Sequence, residues 1–310
     1  MIFDNRHWVR IKAWGKAFAV VTIGLYASIS YAIGDFFNTK YVDCDTSWGL
    51  TINSAIEIAD EGERIVVSGV CTENVNVDKG VTLDGRGTAS IIPADTGKST
   101  VYVTARNVVI TGFSLEASTT SSQIHISDQS LVTVSNNQIG NGQVNVVVTG
   151  ASLAELVGNR IHNSAAESVS VLENSTARIG FQGSLATPEV IPNIIENNWN
   201  GIVVARAHAN IVGNQIINNQ RNGVVIARSG TARVASNEIA GNNVGVVNIT
   251  NGSTDLALAD PNTALSQPNF GINRALSIYC NSGYIGDVIG PDFVLPGIQI
   301  FGTCINQTTP

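Results

Sequence analysis

A four-residue phrase recurs along the middle of this chain at a nearly constant step. It reads Asn136-Asn137-Gln138-Ile139, Gly158-Asn159-Arg160-Ile161, Gly213-Asn214-Gln215-Ile216 and Ser236-Asn237-Glu238-Ile239. A second phrase keeps pace with it: Gly201-Ile202-Val203-Val204, Gly223-Val224-Val225-Ile226 and Gly245-Val246-Val247. From Asn137 to Asn159, from Asn193 to Asn214 and from Asn214 to Asn237 the step is about 22 residues. A unit this short buries its apolar side only by stacking on copies of itself. The step from Asn159 to Asn193 is longer, one unit plus an insert of about 12 residues. Because Arg178-Ile179-Gly180 still matches Arg233-Val234-Ala235, the insert falls at about 181–192 and reads as a projecting loop.

The runs between these phrases are short and β-branched. Ile65-Val66-Val67, Val75-Asn76-Val77, Val81-Thr82-Leu83, Val101-Tyr102-Val103 and Val108-Val109-Ile110 are separated by Asn, Gly, Asp or Lys, as strands joined by turns. They are too short and too β-branched for a helical solenoid, and the constant step opposes a β-sandwich. A tight turn repeated in every coil has one left-handed position, which Asn tolerates, and its amide can bond the amides above and below. Ahead of the repeats, Leu50, Ile52, Ala55, Ile56 and Ala59 fall on one face of a short helix suited to covering the open end of the first coil.

Residues 1–32 read as an export signal: Arg6, Arg10, Lys12 and Lys16, then an uncharged run from Ala17, then Ser30-Tyr31-Ala32 as a cleavage site. An uncleaved anchor is the alternative, since the uncharged run continues to Gly34 and so reaches the shortest length that spans a bilayer. Losing residues 1–32 moves the net charge from −7 to −10, which makes nucleic acid a poor long-range electrostatic target unless a local basic stripe holds it. The expected location is secreted, periplasmic or cell-surface. Membrane contact is expected only through an uncleaved anchor. Cys44 and Cys71 lie at one end of the mature chain, Cys280 and Cys304 at the other. Export permits disulfides; three connectivities are open, end-local pairing is the simplest, and nothing in the spacing suggests zinc. The organisation is then 1–32 signal, 33–62 N-terminal segment with helix, 63–250 regular coils, and 251–310 irregular terminal coils and a cap. In the last part, Ala275 to Cys280 and Phe293 to Ile300 carry strand-like pattern.

Through its Asn-x-Ile and Gly-Val-Val phrases, the chain resembles the right-handed parallel β-helix (pectin lyase-like) superfamily. That superfamily includes pectate lyases, polygalacturonases, alginate-modifying epimerases and periplasmic NosD-like proteins. The opening Gly62-Glu63-Arg64-Ile65-Val66-Val67, with Gly69-Val70-Cys71 and Glu73-Asn74-Val75, is similar to the start of such exported proteins. The resemblance implies an all-β, single-stranded right-handed parallel β-helix of about 22 residues per coil with a short N-terminal capping helix. It covers most of the mature chain and is specific for fold, not for chemistry.

Aligning the coils brings outward side chains together. Thr133, Glu155, Arg178, Asn210 and Arg233 form one column, with Glu155 and Arg178 as a cross-coil ion pair beside the inserted loop and its Glu189. Glu173, Arg206 and Arg228 form another, and His162 lies over Glu196. The functional reading is a groove in which Glu155 acts as base while Arg178 and Arg233 hold a uronate carboxylate or an enolate-like intermediate. The plainer reading is solvated ion pairs worth about 0–1 kcal/mol each. Trp199, in a turn, is either packed on the inserted loop or a single ligand contact. His125, near Asp128, is expected to be exposed. Asp84, Asp95 and Asp128 do not converge, so no cofactor is expected and calcium enters only if the chain is a polysaccharide lyase. The polygalacturonase aspartate and Gly-His phrases are missing, and no His/Cys/Met grouping supports copper. The favoured function is therefore a non-catalytic exported β-helix that binds polysaccharide, cell-surface glycan or a surface partner. The alternatives are a polysaccharide lyase or hydrolase and a NosD-like periplasmic metal-handling accessory. Asn174-Ser175-Thr176 and Asn248-Ile249-Thr250 satisfy the glycosylation rule.

Overall fold

A computed structural model of the chain describes residues 39–46, 49–184, 187–255, 273–286 and 300–307. Two units divide the chain, Met1–Lys40 and Tyr41–Pro310. Of the first, only Thr39 and Lys40 are described, so the expected export signal or anchor lies outside the described residues. The second unit is a solenoid of three parallel sheets wound by one chain.

Each coil visits the sheets in a fixed order. The first sheet stacks Val75–Val77, Val101–Val103, Ser122–Ile126, Val144–Val148, Glu167–Leu172, Asn200–Ala205, Asn222–Ala227 and Val244–Ile249. The second stacks Leu131–Ser135, Leu153–Val157, Thr176–Ile179, His208–Val212 and Thr231–Ala235. The third stacks Gln138–Gly140, Arg160–His162, Ile194–Glu196, Gln215–Ile217 and Glu238–Ala240. Alternation along each strand sends β-branched residues inward in columns. In the third sheet Ile139, Ile161, Ile195, Ile216 and Ile239 lie in register and are all buried. Each such side chain contributes about 1.5–3 kcal/mol relative to exposure. Cutting one to Ala costs about 2–5 kcal/mol, because the coils above and below leave no room to collapse.

The asparagine ladder turns the corner between the second and third sheets. Asn137 Nδ2 donates to Asn159 Oδ1 at 3.1 Å, Asn159 to Asn193 at 3.0 Å, Asn193 to Asn214 at 2.9 Å and Asn214 to Asn237 at 3.0 Å. The second amide hydrogen goes to backbone carbonyls such as those of Ile110, Val134 and Leu156. One expectation needs correction. The left-handed backbone sits on the residue before the ladder, at Asn136, Gly158, Gly213 and Ser236, and not on the ladder asparagines. The turn separates the two tasks, one residue bending the chain and the next filling the buried corner. A second ladder, unforeseen from sequence, runs between the third and first sheets: Asn198 to Asn219 at 3.0 Å, Asn219 to Asn242 and Asn242 to Asn273 at 2.9 Å.

The insert is an antiparallel hairpin, Phe181–Ser184 with Thr187–Val190. It leaves the corner between the second and third sheets, where Phe181 buries itself against Val212. At the N-terminal end the helix Ile52–Ile58 is capped by Thr51 and places Ile52, Ala55 and Ile56 in the core. Leu50 does not join that face and is exposed, since it precedes the helix. The helix packs on Val75–Val77 and Arg64–Ser68 and so covers the first coil. Toward the C-terminus, Leu276–Gly286 continues the first and second sheets, and Ile300–Gln307 stacks on it. Of the strand expected at Phe293 to Ile300, all but Ile300 lies outside the described residues. Cys44 is bonded to Cys71. Cys280 is also disulfide-bonded; the side chain of Cys304 lies outside the described residues.

Candidate functional site

The outer column of the second sheet is as the alignment predicts, with Glu155 paired to Thr133 on one side and Arg178 on the other, then Asn210 and Arg233. Arg178 Nη1 lies 2.6 Å from Glu155 Oε1 and 3.2 Å from the carbonyl of Gly183. The pair therefore fastens the base of the hairpin to the solenoid. Arg233 stands two rungs from Arg178, separated by Asn210. Glu189 is exposed on the hairpin and accepts from Gln182 at 2.7 Å.

Two other expected pairings are corrected. Glu173, Arg206 and Arg228 do stack, each in left-handed backbone at the corner after the first sheet. Yet the Glu173 carboxylate accepts from Thr149 Oγ1 at 2.5 Å, and among the described residues no ion pair joins it to Arg206 or Arg228. His162 is in register with Glu196, but its Nε2 instead lies 2.8 Å from Glu116 Oε1, two rungs away and not aligned as a hydrogen bond. Gly140 sits between them, and a Cβ there would meet His162 Cε1 at 2.8 Å, so the missing side chain lets the imidazole lean across. Glu196 pairs with Arg160 at 2.8 Å.

A depression of about 470 Å³ lies on the outer face of the first sheet, where sequence reasoning had placed nothing. Asn76, Tyr102 and His125 occupy successive rungs of its floor. Lys98, Ser99 and Ser121 stand around it. Asn74 builds the wall by clamping the following loop, donating to the carbonyls of Asp95 and Ser99 at 3.0 Å while accepting from Asp95 N at 2.8 Å. Tyr102 and His125 meet edge to face with centroids 5.2 Å apart. His125 is thus half-buried, against the expectation of exposure. Burial lowers its pKa below the ordinary value, opposed by the carboxylates of Asp128 and Glu173, and its Nε2 has no hydrogen-bond partner. Farther along the same face, burial raises the pKa of Glu167. Trp199 is 45% exposed in the turn between the third and first sheets.

One group of potential metal ligands occurs among the described residues: Cys44, Cys71 and Glu73, with ligand atoms all within 4.8 Å of one another. Both sulfurs are engaged in the disulfide. Glu73 accepts from Ile52 N at 2.8 Å and from Asn53 N and Nδ2 at 3.1 and 2.8 Å, tying the capping helix to the first coil. The sequence spacing gave no hint of this group, because the strand Thr39–Asp43 and the segment after it reach Cys71 only through folding.

The family described as right handed beta helix region matches residues 54–260. The chain belongs to this right-handed β-helix family. No curated protein and no solved structure matches it. The match concerns the coil repeat and assigns no chemistry to the depression or to the cysteine–carboxylate group. No helix among the described residues is long and apolar enough to cross a membrane.

Proposed function

We propose that this β-helix is an exported, non-catalytic protein that binds glycan on the outer face of its first sheet. The observation that carries the reading is the depression over Tyr102 and His125. Its volume is in the range of small-molecule sites, and it combines an aromatic floor with a few polar groups, as such sites do. The Tyr102 ring offers a stacking face, Asn76 and Ser121 offer hydrogen bonds to hydroxyls, and Lys98 offers a charge for an acidic sugar. The basic stretch, apolar run and Ser30-Tyr31-Ala32 at the N-terminus support export. The net negative charge argues against nucleic acid.

The test is binding of the mature protein, residues 33–310, to a polysaccharide panel including pectate and alginate, with depolymerisation followed in parallel with and without calcium. Binding lost in Tyr102→Ala, without bond cleavage, supports the reading. Cleavage abolished by Arg178→Met would replace it with a polysaccharide lyase or hydrolase acting through Glu155, Arg178 and Arg233. The specific observation behind that second reading is the 2.6 Å Glu155–Arg178 contact beside the hairpin.

A further inference from the structure

The cysteine–carboxylate group at the N-terminal cap lies apart from the glycan depression and raises a separate question. We propose that reduction of the Cys44–Cys71 disulfide creates a site for a thiophilic divalent cation of the zinc or cadmium type. Its ligands are the Cys44 and Cys71 thiolates and the Glu73 carboxylate, with water in the fourth position.

The geometry is close to what such an ion requires. The two cysteine Cα atoms are 5.0 Å apart. Tetrahedral coordination at about 2.3 Å per sulfur sets the sulfurs about 3.8 Å apart, which opening the disulfide supplies with little backbone movement. All three ligand atoms already fall within 4.8 Å of one another. Glu73 is held in place rather than free to swing. Three donors, from Ile52 and Asn53, fix its two oxygens, and a carboxylate offers about four acceptor sites, so one remains for a metal. Those donors orient the carboxylate as outer-shell partners do in metal sites.

Access favours one order of events. Cys71 is 2% exposed, while Cys44 is only partly buried, so a dithiol reductant attacks the Cys44 sulfur and Cys71 leaves as thiolate. The second thiol of the reductant then closes its own disulfide and frees Cys44. Two electrons and two protons have passed to the protein; the two protons leave again when the metal binds. The cap is thus held to the first coil covalently when oxidised and through the ion when reduced.

The experiment uses the full chain as Cys280→Ser/Cys304→Ser, reduced, freed of reductant without oxygen and titrated with Cd²⁺. One equivalent per chain with the ultraviolet thiolate-to-cadmium band is expected, and none for the oxidised protein. No band after reduction overturns the proposal. Should that variant fold poorly, reduced wild type is compared with Cys44→Ser: the variant must lose one equivalent, and equal uptake by both overturns the site. Glu73→Gln removes a charged ligand and is expected to weaken Cd²⁺ binding at least as much as losing an outer-shell partner does, about tenfold or more. Unchanged affinity removes the carboxylate from the ligand set.

Discussion

One outward column of the first sheet changes its chemistry from end to end. Toward the N-terminus it reads Asn76, Tyr102, His125; toward the C-terminus Val203, Val225, Val247, Tyr279. The residues pointing inward on the same strands do not change in kind: Val75 and Val77, Val101 and Val103, Ile124 and Ile126 at one end, Val224 and Ile226 at the other, all buried. The core fixes the coil, and the outer column is left for other purposes. In the polar half, a clamped loop and an aromatic floor leave space between side chains. In the aliphatic half, Val225, Ala227 and Val247 pack with Val203, Val244, Ile249 and Tyr279 until the first three are at most 9% exposed. Cross-strand pairs of β-branched and aromatic residues stabilise the sheet there from the outside.

If the halves differ in this way, one substitution in each should separate stability from binding. Val225→Asp buries an unpaired carboxylate and is expected to cost about 2 kcal/mol or more in denaturant unfolding while glycan binding persists. A loss under about 0.5 kcal/mol would show that the aliphatic half is not packed. Tyr102→Ala should weaken glycan binding at least about tenfold, about 1.4 kcal/mol, and leave the unfolding transition nearly where it was. Equal loss of both would erase the distinction between the halves.

A pH titration sharpens the contrast. Burial holds His125 below its ordinary value of 6.5, so the unfolded chain takes up a proton first as the pH falls. The stability tied to its neutral ring is complete above that value and is lost as the pH drops through 6.5 toward the lower folded value. Comparing wild type with His125→Gln at pH 7.5 and about pH 5 should show the variant less sensitive to acid. The smallest effect is expected on the second sheet. Arg178→Met should cost no more than about 1 kcal/mol, since the pair is partly exposed, but it should speed proteolysis within the Phe181–Val190 hairpin.

Much of the fold was legible because it is periodic. The Asn-x-Ile phrase placed the third sheet, the long step from Asn159 to Asn193 placed the hairpin, and the column Glu155–Arg178–Asn210–Arg233 followed from register. The second ladder was visible only as pairs, Asn197-Asn198 and Asn218-Asn219, among many other asparagines. The ion pairs were less legible, since register gives Cα neighbours and not side-chain direction: Gly140 allowed His162 to reach Glu116 past its nearest rung.

Sequence alone determined the coil length, the inward columns and the insert, and it made Cys44–Cys71 the simplest pairing, because each depends on spacing along one chain. Only the tertiary structure decided where a cavity forms and which polar groups meet. Tyr102 and His125 lie one coil apart and become a floor when stacked, and Lys98 and Asn74 become a rim when the intervening loop is clamped. Cys44 reaches Cys71 and Glu73, which are neighbours in the sequence, in the same way, because strand pairing and not the repeat brings it to them.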